Sequence, residues 1–387
     1  MQKKEIYLDN SATTAAYPEV GDLVRKVMCD FYGNPSSLHM KGIEAEKYIK
    51  QAKETFAEIW KCKEKEIYFT SGGTESDNLA IIGTATANTR RGKHIISTCI
   101  EHPAVINTLK YLEENGFEIT FLPVDSCGLV SVRDLKEALR KDTILVSVMQ
   151  VNNEIGGLQP IEDMAKVVKE FDNNILFHTD AVQGFGKYRL YPKRSGIDLI
   201  SVSAHKIHGP KGAGALYVRE GVKIKPIMFG GGQQNDLRSG TENVPGTAGL
   251  ALAAKTAYAS IEAKTAKMRE LKNALKAGIG INEGIKFFSG DEQNQAPHIL
   301  SIGFSGIKSE VLLHALEGEG IFVSSGSACA SNHPGVSSVL KSIGAADEYL
   351  ESTLRFSLSE FTTEDEIDYT VNAVNKLLPV LRKFVRK

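Results

Sequence analysis

The chain has 387 residues, more than a typical single domain, which predicts one large domain and a smaller one. Its formal net charge of -1 and 24% charged residues argue against a basic surface for nucleic acid or an anionic membrane. The five cysteines are scattered without a C-x-x-C pair, which argues against a disulfide framework or a structural zinc site. With no apolar run of signal-peptide or membrane-span length, we expect a soluble, cytoplasmic protein.

Short apolar runs alternate with amphipathic helical patterns from about residue 45 to 220. The predicted strands cover residues 67–70, 94–98, 119–124, 144–150, 176–180, 199–204 and 215–218. The predicted helices cover residues 45–60, 75–87, 104–115, 132–140 and 162–171. Because several strands are apolar nearly throughout, the pattern predicts an α/β fold with a mainly parallel, doubly wound sheet. Such sheets bind ligands at the carboxyl ends of their strands.

The pattern changes after about residue 248. A long helix is predicted over residues 247–277 and is followed by strands at 299–304 and 353–358. Further helices are predicted at residues 309–317, 336–343 and 364–386. We predict a large domain over residues 15–258 and a smaller α+β domain formed by residues 1–14 and 259–387.

A Gly-rich turn, Ser71-Gly72-Gly73-Thr74, follows one predicted strand and opens a helix. Such a turn can bind phosphate, because glycine lets the ligand approach the backbone and Thr74 adds a hydroxyl. The alternative is a capping box in which Thr74 caps the helix and Asp77 lies three residues on. The turn matches neither the P-loop nor the G-x-G-x-x-G pattern, which disfavours a nicotinamide dehydrogenase.

Two further strands end in ionisable residues, Asp180 and Lys206. Taken alone, Asp180 could be a cap and Lys206 a solvated strand end. The histidines beside Lys206 also suggest a metal site, but no carboxylate or thiol lies beside them at the spacing of metal ligands. Together, a lysine for a Schiff base and a carboxylate for the pyridinium nitrogen are the groups that pyridoxal phosphate (PLP) chemistry most needs.

Ordered motifs cover nearly the whole chain. They are YLDNSATT at 7–14, GNPSS at 33–37, EHP at 101–103, NNEIG at 152–156, RSGTEN at 238–243 and LRFS at 354–357. These motifs resemble those of the NifS/IscS-type cysteine desulfurases, in the class-V aminotransferase family of fold-type I PLP enzymes. The sequence GGGQQ at 230–234 is closer to NifS than to IscS chains, which leaves the subgroup open.

The resemblance implies a role for each residue around the PLP ring. Lys206 forms the Schiff base with the cofactor and later moves protons. Asp180 pairs with the pyridine nitrogen, and Gln183 bonds the ring oxygen. His102 stacks on the ring and serves as acid or base, although a histidine before a proline is by itself more typical of a helix start.

The resemblance also implies a phosphate site and a substrate site. Its phosphate and other cofactor contacts come from Gly73, Thr74, Asn153, Ser203 and His205. Thr241 joins them from a second subunit, so we expect a homodimer. The substrate is oriented by Asn34, Asn153 and Arg355, and Arg355 grips the carboxylate with two parallel hydrogen bonds that a lysine could not make.

Cys329 lies in a small, polar run, SSGSACASNHPG at 324–335, which predicts an exposed loop. The other four cysteines are interpreted as inert, buried small side chains. The resemblance implies that Cys329 takes the sulfur of L-cysteine and carries it as a persulfide. The other product is L-alanine. An iron–sulfur scaffold or a tRNA-thiolation enzyme would receive the sulfur, and no direct contact with nucleic acid or membrane is expected.

Other functions remain open at the level of sequence. A selenocysteine lyase, or another class-V PLP enzyme such as a transaminase, would share the same cofactor residues. A non-catalytic sulfur-relay or interaction protein on a decayed PLP fold is a further alternative, although Lys206, Asp180 and Cys329 are all intact.

Overall fold

The computed structural model describes residues 5–325 and 336–383. In chain order the strands are β1 (Ile6–Tyr7), β2 (Ile67–Thr70), β3 (His94–Thr98), β4 (Glu118–Leu122), β5 (Thr143–Ser147), β6 (Leu176–Asp180), β7 (Leu199–Ser203), β8 (Gly214–Val218), β9 (Ile285–Phe287), β10 (Ile299–Phe304), β11 (Ile321–Phe322), β12 (Ser324–Ser325) and β13 (Thr353–Ser357). The helices are α1 (Pro18–Asp30), α2 (Met40–Trp60), α3 (Gly73–Asn88), α4 (Pro103–Glu114), α5 (Val132–Ala138), α6 (Ile161–Phe171), α7 (Pro192–Ser195), α8 (Val244–Ala259), α9 (Ile261–Ile279), α10 (Ser309–Gly318), α11 (Ser338–Ser342), α12 (Asp347–Leu350) and α13 (Glu364–Arg382). Across the two described ranges, no helix is both long and apolar enough to cross a lipid bilayer.

The large sheet has the strand order β2-β8-β7-β6-β5-β3-β4. Its pairs are parallel except at β8, which runs antiparallel to both of its neighbours. The predicted mainly parallel α/β sheet is therefore confirmed.

Both faces of this sheet are covered, and its strands are apolar for that reason. Successive residues of one strand, such as Leu176 and Phe177, belong to separate hydrophobic clusters. The same is true of Leu199 and Ile200 in the next strand. Because successive side chains of a strand point to opposite faces, each face must bury its own apolar set.

A four-stranded antiparallel sheet, β12-β13-β10-β9, forms the centre of the second core. The N-terminal strand β1 pairs in parallel with β11, and Ile6 and Leu8 are buried in the same cluster as Leu300 and Phe356. The N-terminal segment thus packs against the C-terminal part of the chain. The predicted domain boundaries, 15–258 against 1–14 with 259–387, stay a prediction.

The single long helix predicted over residues 247–277 is wrong. The structure has two helices there, α8 and α9, which are separated at Ser260, whose φ of -144° and ψ of 43° are not helical. The two helices bury their side chains in different places: Leu250 lies in the large-sheet core, whereas Leu271 and Leu275 lie in the second core. The helix is interrupted where the chain passes from one core to the other, which its helix-forming residues do not signal.

The carboxyl ends of the parallel strands bring several motifs to one edge of the large sheet. β6 ends at Asp180, and β7 ends at Ser203 and leads through a 3-10 turn, Ala204–Lys206, to the lysine. α3 begins three residues after the end of β2, and His102 precedes α4. This edge is where a ligand site is expected in a doubly wound sheet.

Candidate active site

A cavity of about 350 Å³ opens at this edge. Of the residues expected in the site, those that line it are Gly73, Thr74, His102, Asn153, Asp180, Gln183, Ser203, His205 and Lys206. Six further residues of the lining were not expected: Ser11, Ala12, Asp77, Met149, Val151 and Val182. Groups from six segments of the chain therefore meet around one space, and their individual roles stay predictions.

Lys206 is held at the cavity wall by the N-terminal segment. Its Nζ donates to the carbonyl oxygens of Ser11 at 2.5 Å and Ala12 at 2.7 Å. The backbone N–H of Thr14 donates to the carbonyl of His205 at 2.9 Å, and the hydroxyl of Thr14 accepts from the N–H of His208 at 2.8 Å. The YLDNSATT motif thus fixes the turn that carries the lysine, a contact that no spacing in the sequence predicts.

Asp180 is a buried carboxylate at the end of β6. Its Oδ1 accepts the N–H of Val182 at 2.8 Å. Burial raises the pKa of Asp180, while the nearby His102 and Lys206 act to lower it. A buried carboxylate in this position can pair with a protonated ring nitrogen, because a cation compensates its loss of hydration.

His102 caps helix α4 and also lines the cavity. Its Nδ1 accepts from the N–H of Ala104 at 3.1 Å, which places the proton of the neutral ring on Nε2. Burial lowers the pKa of His102, and Lys206 lowers it further against the opposing effect of Asp180. The interpretation as a helix cap and the expected place in the site are therefore compatible.

The Gly-rich turn presents the start of a helix to the cavity. The N-cap of α3 is Gly72, with no side-chain cap, so the alternative in which Thr74 caps the helix is wrong. At Gly73, a Cβ atom would come within 2.7 Å of the Val182 side chain. Only glycine lets the backbone sit this close to the cavity wall, and the positive end of the helix favours an anion there.

The rings of His205 and His208 contact other groups of the protein. The Nδ1 of His205 lies 3.2 Å from the hydroxyl of Thr13, and the Nδ1 of His208 lies 2.8 Å from the carbonyl of Ala15. Burial, with smaller contributions from Lys206 and Lys211, lowers the pKa of His205 to about 4. Within residues 5–325 and 336–383, no group of three or more His, Cys, Asp or Glu could hold a metal ion.

Several expected residues do not line the cavity. Arg355 is buried on β13, where its Nη1 donates to the carbonyl of Asn153 at 2.8 Å and its Nη2 to Asp9 at 2.8 Å. Asn34 and Thr241 are exposed on the surface of their own chain. Cys329 lies outside the described residues.

The sequence analysis missed a buried carboxyl group, Glu101, although it stands in the EHP motif. Its Oε1 accepts from the hydroxyl of Thr98 at 2.7 Å and the N–H of Met149 at 2.9 Å. Burial raises the pKa of Glu101 to about 8. The side chain ties the segment that carries His102 to the segment that carries Asn153.

A second missed carboxyl group, Asp77, lines the cavity near the buried His178. The ring nitrogens of His178 lie 2.8 Å from the hydroxyl of Ser147 and 2.9 Å from that of Ser201. Burial lowers the pKa of His178 to about 3, so the ring is neutral. Burial and the neighbouring Asp180 raise the pKa of Asp77 well above its usual range.

The interpretation of the four remaining cysteines as buried side chains needs correction. Cys29 is exposed near the end of α1, and Cys62, Cys99 and Cys127 are partly exposed. The amphipathic helix α1 turns Cys29 away from the residues that it buries, Val20 and Val27.

Comparison with known protein families assigns this fold and this site to one class of protein. Residues 6–370 match the model of the family described as Aminotransferase class-V. The chain therefore belongs to the class-V aminotransferases.

Individual relatives narrow this class. The chain is 42% identical over 380 residues to the cysteine desulfurase IscS of Dictyoglomus turgidum, which covers 98% of this chain and 96% of that protein. A solved structure described as a NifS-like protein has a TM-score of 0.92 at 38% identity and covers 98% of this chain and 100% of its own. A structure of SspA in complex with cysteine has a TM-score of 0.80 at 35% identity, covering 92% of this chain and 100% of that one.

Proposed function

We propose that this chain is a PLP-dependent cysteine desulfurase that converts L-cysteine to L-alanine and keeps the sulfur as a persulfide on Cys329. The observation that carries the proposal is the meeting of Lys206 and Asp180 in one cavity, each at the carboxyl end of its strand. Relatives that are 42–44% identical over nearly the whole chain carry the name cysteine desulfurase.

The residues around the cavity fit PLP. Asp180 is a buried acid without a dedicated ion pair among the described side chains, as a partner of a protonated ring nitrogen should be. At position 73 a Cβ atom would clash with the Val182 side chain, so only glycine fits beside the start of α3, where a phosphate is favoured. The cofactor, when bound, supplies an electron sink that makes the bond between the β-carbon and sulfur of the substrate breakable.

Three side chains of this protein would then hold or transfer protons. Lys206 would hold the cofactor, and its amine would take the α-proton of the substrate. His102, neutral and with its proton on Nε2, would act as acid or base beside it. Asp180 would hold the ring nitrogen in its protonated form by pairing with it.

The substrate would be oriented through its carboxylate. Arg355 carries a planar set of donors that matches a carboxylate, and Asp9 and the Asn153 carbonyl limit its rotation. Asn153 itself lines the cavity, so its bond with Arg355 links the guanidinium to the site. Asn34 would also orient the substrate, and Thr241 would join the phosphate site from a second copy of the chain.

Sulfur transfer is assigned to Cys329. Its thiolate attacks the sulfur of the bound substrate, so that an S–S bond forms while the C–S bond breaks and its electron pair stays with the three-carbon product. Protonation of the β-carbon then gives alanine. We propose that the persulfide passes to a protein of iron–sulfur cluster assembly or tRNA thiolation in the cytoplasm.

A homodimer is part of the proposal. Thr241 and Asn34 lie on the surface, and exposed apolar side chains occur in the same two regions of the chain. They are Tyr32, Leu38, Met40, Met228 and Phe229. A second copy of this chain would cover these side chains and receive Thr241 at its phosphate site.

The decisive experiment is to incubate the purified holoprotein with L-cysteine, measure alanine, and locate any persulfide by mass spectrometry. We expect one alanine per transferred sulfur and a persulfide on Cys329. A parallel reaction with L-selenocysteine distinguishes a cysteine desulfurase from a selenocysteine lyase. A selenocysteine lyase would act on L-selenocysteine and leave L-cysteine unchanged. Absence of alanine from L-cysteine would refute the proposal.

A further inference from the structure

Lys206 forms part of the wall between two cavities. On one side lies the 350 Å³ cavity, and on the other a smaller cavity of about 30 Å³. The smaller cavity is lined mainly by polar residues, which include Asn10, Thr14, Lys187, His208, His298 and Glu360. A polar space of this volume has room for a water molecule. The proposed functions of the site use none of these groups.

Lys187 stands out among them, because it is a partly buried lysine in contact with the proposed cofactor lysine. Its Nζ donates to the main-chain carbonyl of Lys206 at 2.8 Å. Burial, and secondarily the charge of Lys206, lowers the pKa of Lys187 to about 7, against the opposing charge of Glu360. Lys187 therefore changes its charge within the physiological range of pH.

The ionisable groups that face Lys187 come from several elements. They are Tyr17 ahead of α1, Lys206 and His208 after β7, Lys264 on α9, His298 ahead of β10 and Glu360 after β13. Glu360 is paired with Lys264 at 2.6 Å. Burial lowers the pKa of both His208 and His298, which leaves the two rings neutral. Little negative charge is thus left to offset an ammonium group on Lys187.

We propose that Lys187 is a positioning residue for Lys206. It holds the main chain of Lys206, and its own positive charge disfavours a positive charge on the Lys206 amine. The inference rests on the proposed function for the role of Lys206. Two ammonium groups in a partly buried site repel each other, so the charged form of one disfavours the charged form of the other. A lysine that must act as a base benefits from such a neighbour.

The test is a pH titration of the visible absorbance of the bound cofactor in the holoprotein, without substrate. Three variants are compared with the wild type: Lys187→Met, Lys187→Arg and Lys272→Met. Lys272 is the matched control, because it is a buried lysine that donates to the carbonyl of Ala296 at 2.7 Å and lies on neither cavity. Burial lowers its pKa to about 8, close to that of Lys187.

Removing the positive charge of Lys187 should raise the pH at the midpoint of the change in cofactor absorbance. We expect a rise of about one pH unit in Lys187→Met, the size typical of a nearby charge in a partly buried site. Lys187→Arg, which stays charged, should keep its midpoint at or below that of the wild type, and Lys272→Met should not move it. Equal midpoints in all proteins, or equal shifts in Lys187→Met and Lys272→Met, would overturn the inference.

Two further outcomes are decisive. If Lys187→Met does not fold, Lys187→Arg decides, since a midpoint above the wild-type value contradicts the inference. Alanine production from L-cysteine separates this inference from the proposed function. A wild type that makes alanine, with an unchanged midpoint in Lys187→Met, refutes the inference alone. A wild type that makes none, with the expected shift, refutes the proposed function alone.

Discussion

Arg355 and Asp9, which lie 346 positions apart in the chain, form an ion pair with 2.8 Å between Nη2 and Oδ1. The guanidinium is buried, and its second contact is the carbonyl of Asn153 at 2.8 Å. One carboxylate and one carbonyl thus fix the plane of the guanidinium. The substrate carboxylate would meet an arginine whose orientation is already set.

Asp9→Asn tests this arrangement, because it keeps an acceptor but removes the charge. We expect the KM for L-cysteine to rise about tenfold with a smaller change in kcat, the loss typical of one charge-assisted hydrogen bond. The control is Glu262→Gln, which removes the charge from an exposed pair with Arg189 and should change neither constant. An unchanged KM in Asp9→Asn would contradict a role of Asp9 in orienting Arg355.

Lys206→Ala should abolish both alanine production and covalent attachment of the cofactor. The phosphate contacts remain, so some cofactor should still bind without a covalent bond. Lys211→Ala is the control, since Lys211 lies on the same loop but is exposed. Reduction with borohydride followed by peptide mapping identifies the attached lysine. Cofactor found on Lys211, or normal turnover in Lys206→Ala, would show that the lysine assignment is wrong.

Cys329→Ala should keep the fold and the cofactor absorbance but lose sulfur transfer by several orders of magnitude. The reason is that loss of a covalent nucleophile removes a step rather than weakening it. Cys29→Ala is the control, because Cys29 is an exposed cysteine and is absent from the lining of the cavity. Alanine production from L-cysteine is the measurement. A rate close to that of the wild type in Cys329→Ala would rule out the persulfide route.

Thr241→Ala should weaken cofactor binding several-fold if a second copy of the chain contributes this hydroxyl, the effect of losing one hydrogen bond to a phosphate. Cofactor affinity is measured by titrating the apoprotein. Sedimentation at assay concentration gives the mass of the active species. A fully active monomer, or a Thr241→Ala protein with unchanged affinity, would argue against a phosphate site shared between subunits.

Glu101→Gln should change how stability depends on pH. Burial raises the pKa of Glu101 from 4.5 to about 8, so the folded state binds a proton that the unfolded state has lost. The wild type should therefore lose stability as pH rises between these values, on the order of 3 kcal/mol by pH 7.

Glutamine does not ionise, so the Glu101→Gln protein should lack this loss. Its constant penalty is that an amide N–H₂ replaces Oε2, which has no partner among the described residues. Chemical denaturation at several pH values measures the difference. The control is Glu113→Gln, at an exposed position on α4, which should follow the wild type. Parallel curves for the wild type and Glu101→Gln would show that the buried carboxyl is ionised throughout.

Local sequence was sufficient to predict a strand and its bounds wherever one pattern indicated both the strand and the residue at which it ends. The strands at residues 94–98, 176–180 and 299–304 were predicted with their observed bounds. Each begins with or contains apolar residues, is buried along its whole length and lies between turn or helix signals. The positions of Asp180 and Lys206 at neighbouring strand ends followed from this, since a charged side chain is costly to bury inside such a strand.

Contacts between distant segments were beyond the reach of sequence patterns. The break at Ser260 depends on where two cores lie, and the carbonyls of Ser11 and Ala12 have no side-chain signature. Lys187 was not singled out, because a lysine in a loop is normally solvated, and its pKa falls only where the fold buries it beside Lys206.

By itself, the sequence determined which chemical groups this protein has and that a parallel sheet would present some of them at one edge. Strand periodicity and turn residues are local properties, so they can be read in order along the chain. Only the tertiary structure decided that the N-terminal segment holds Lys206, that Asp9 pairs with Arg355 and that Lys187 contacts the main chain of Lys206. These depend on desolvation and on hydrogen bonds between segments far apart in sequence, which exist only once the cores have formed.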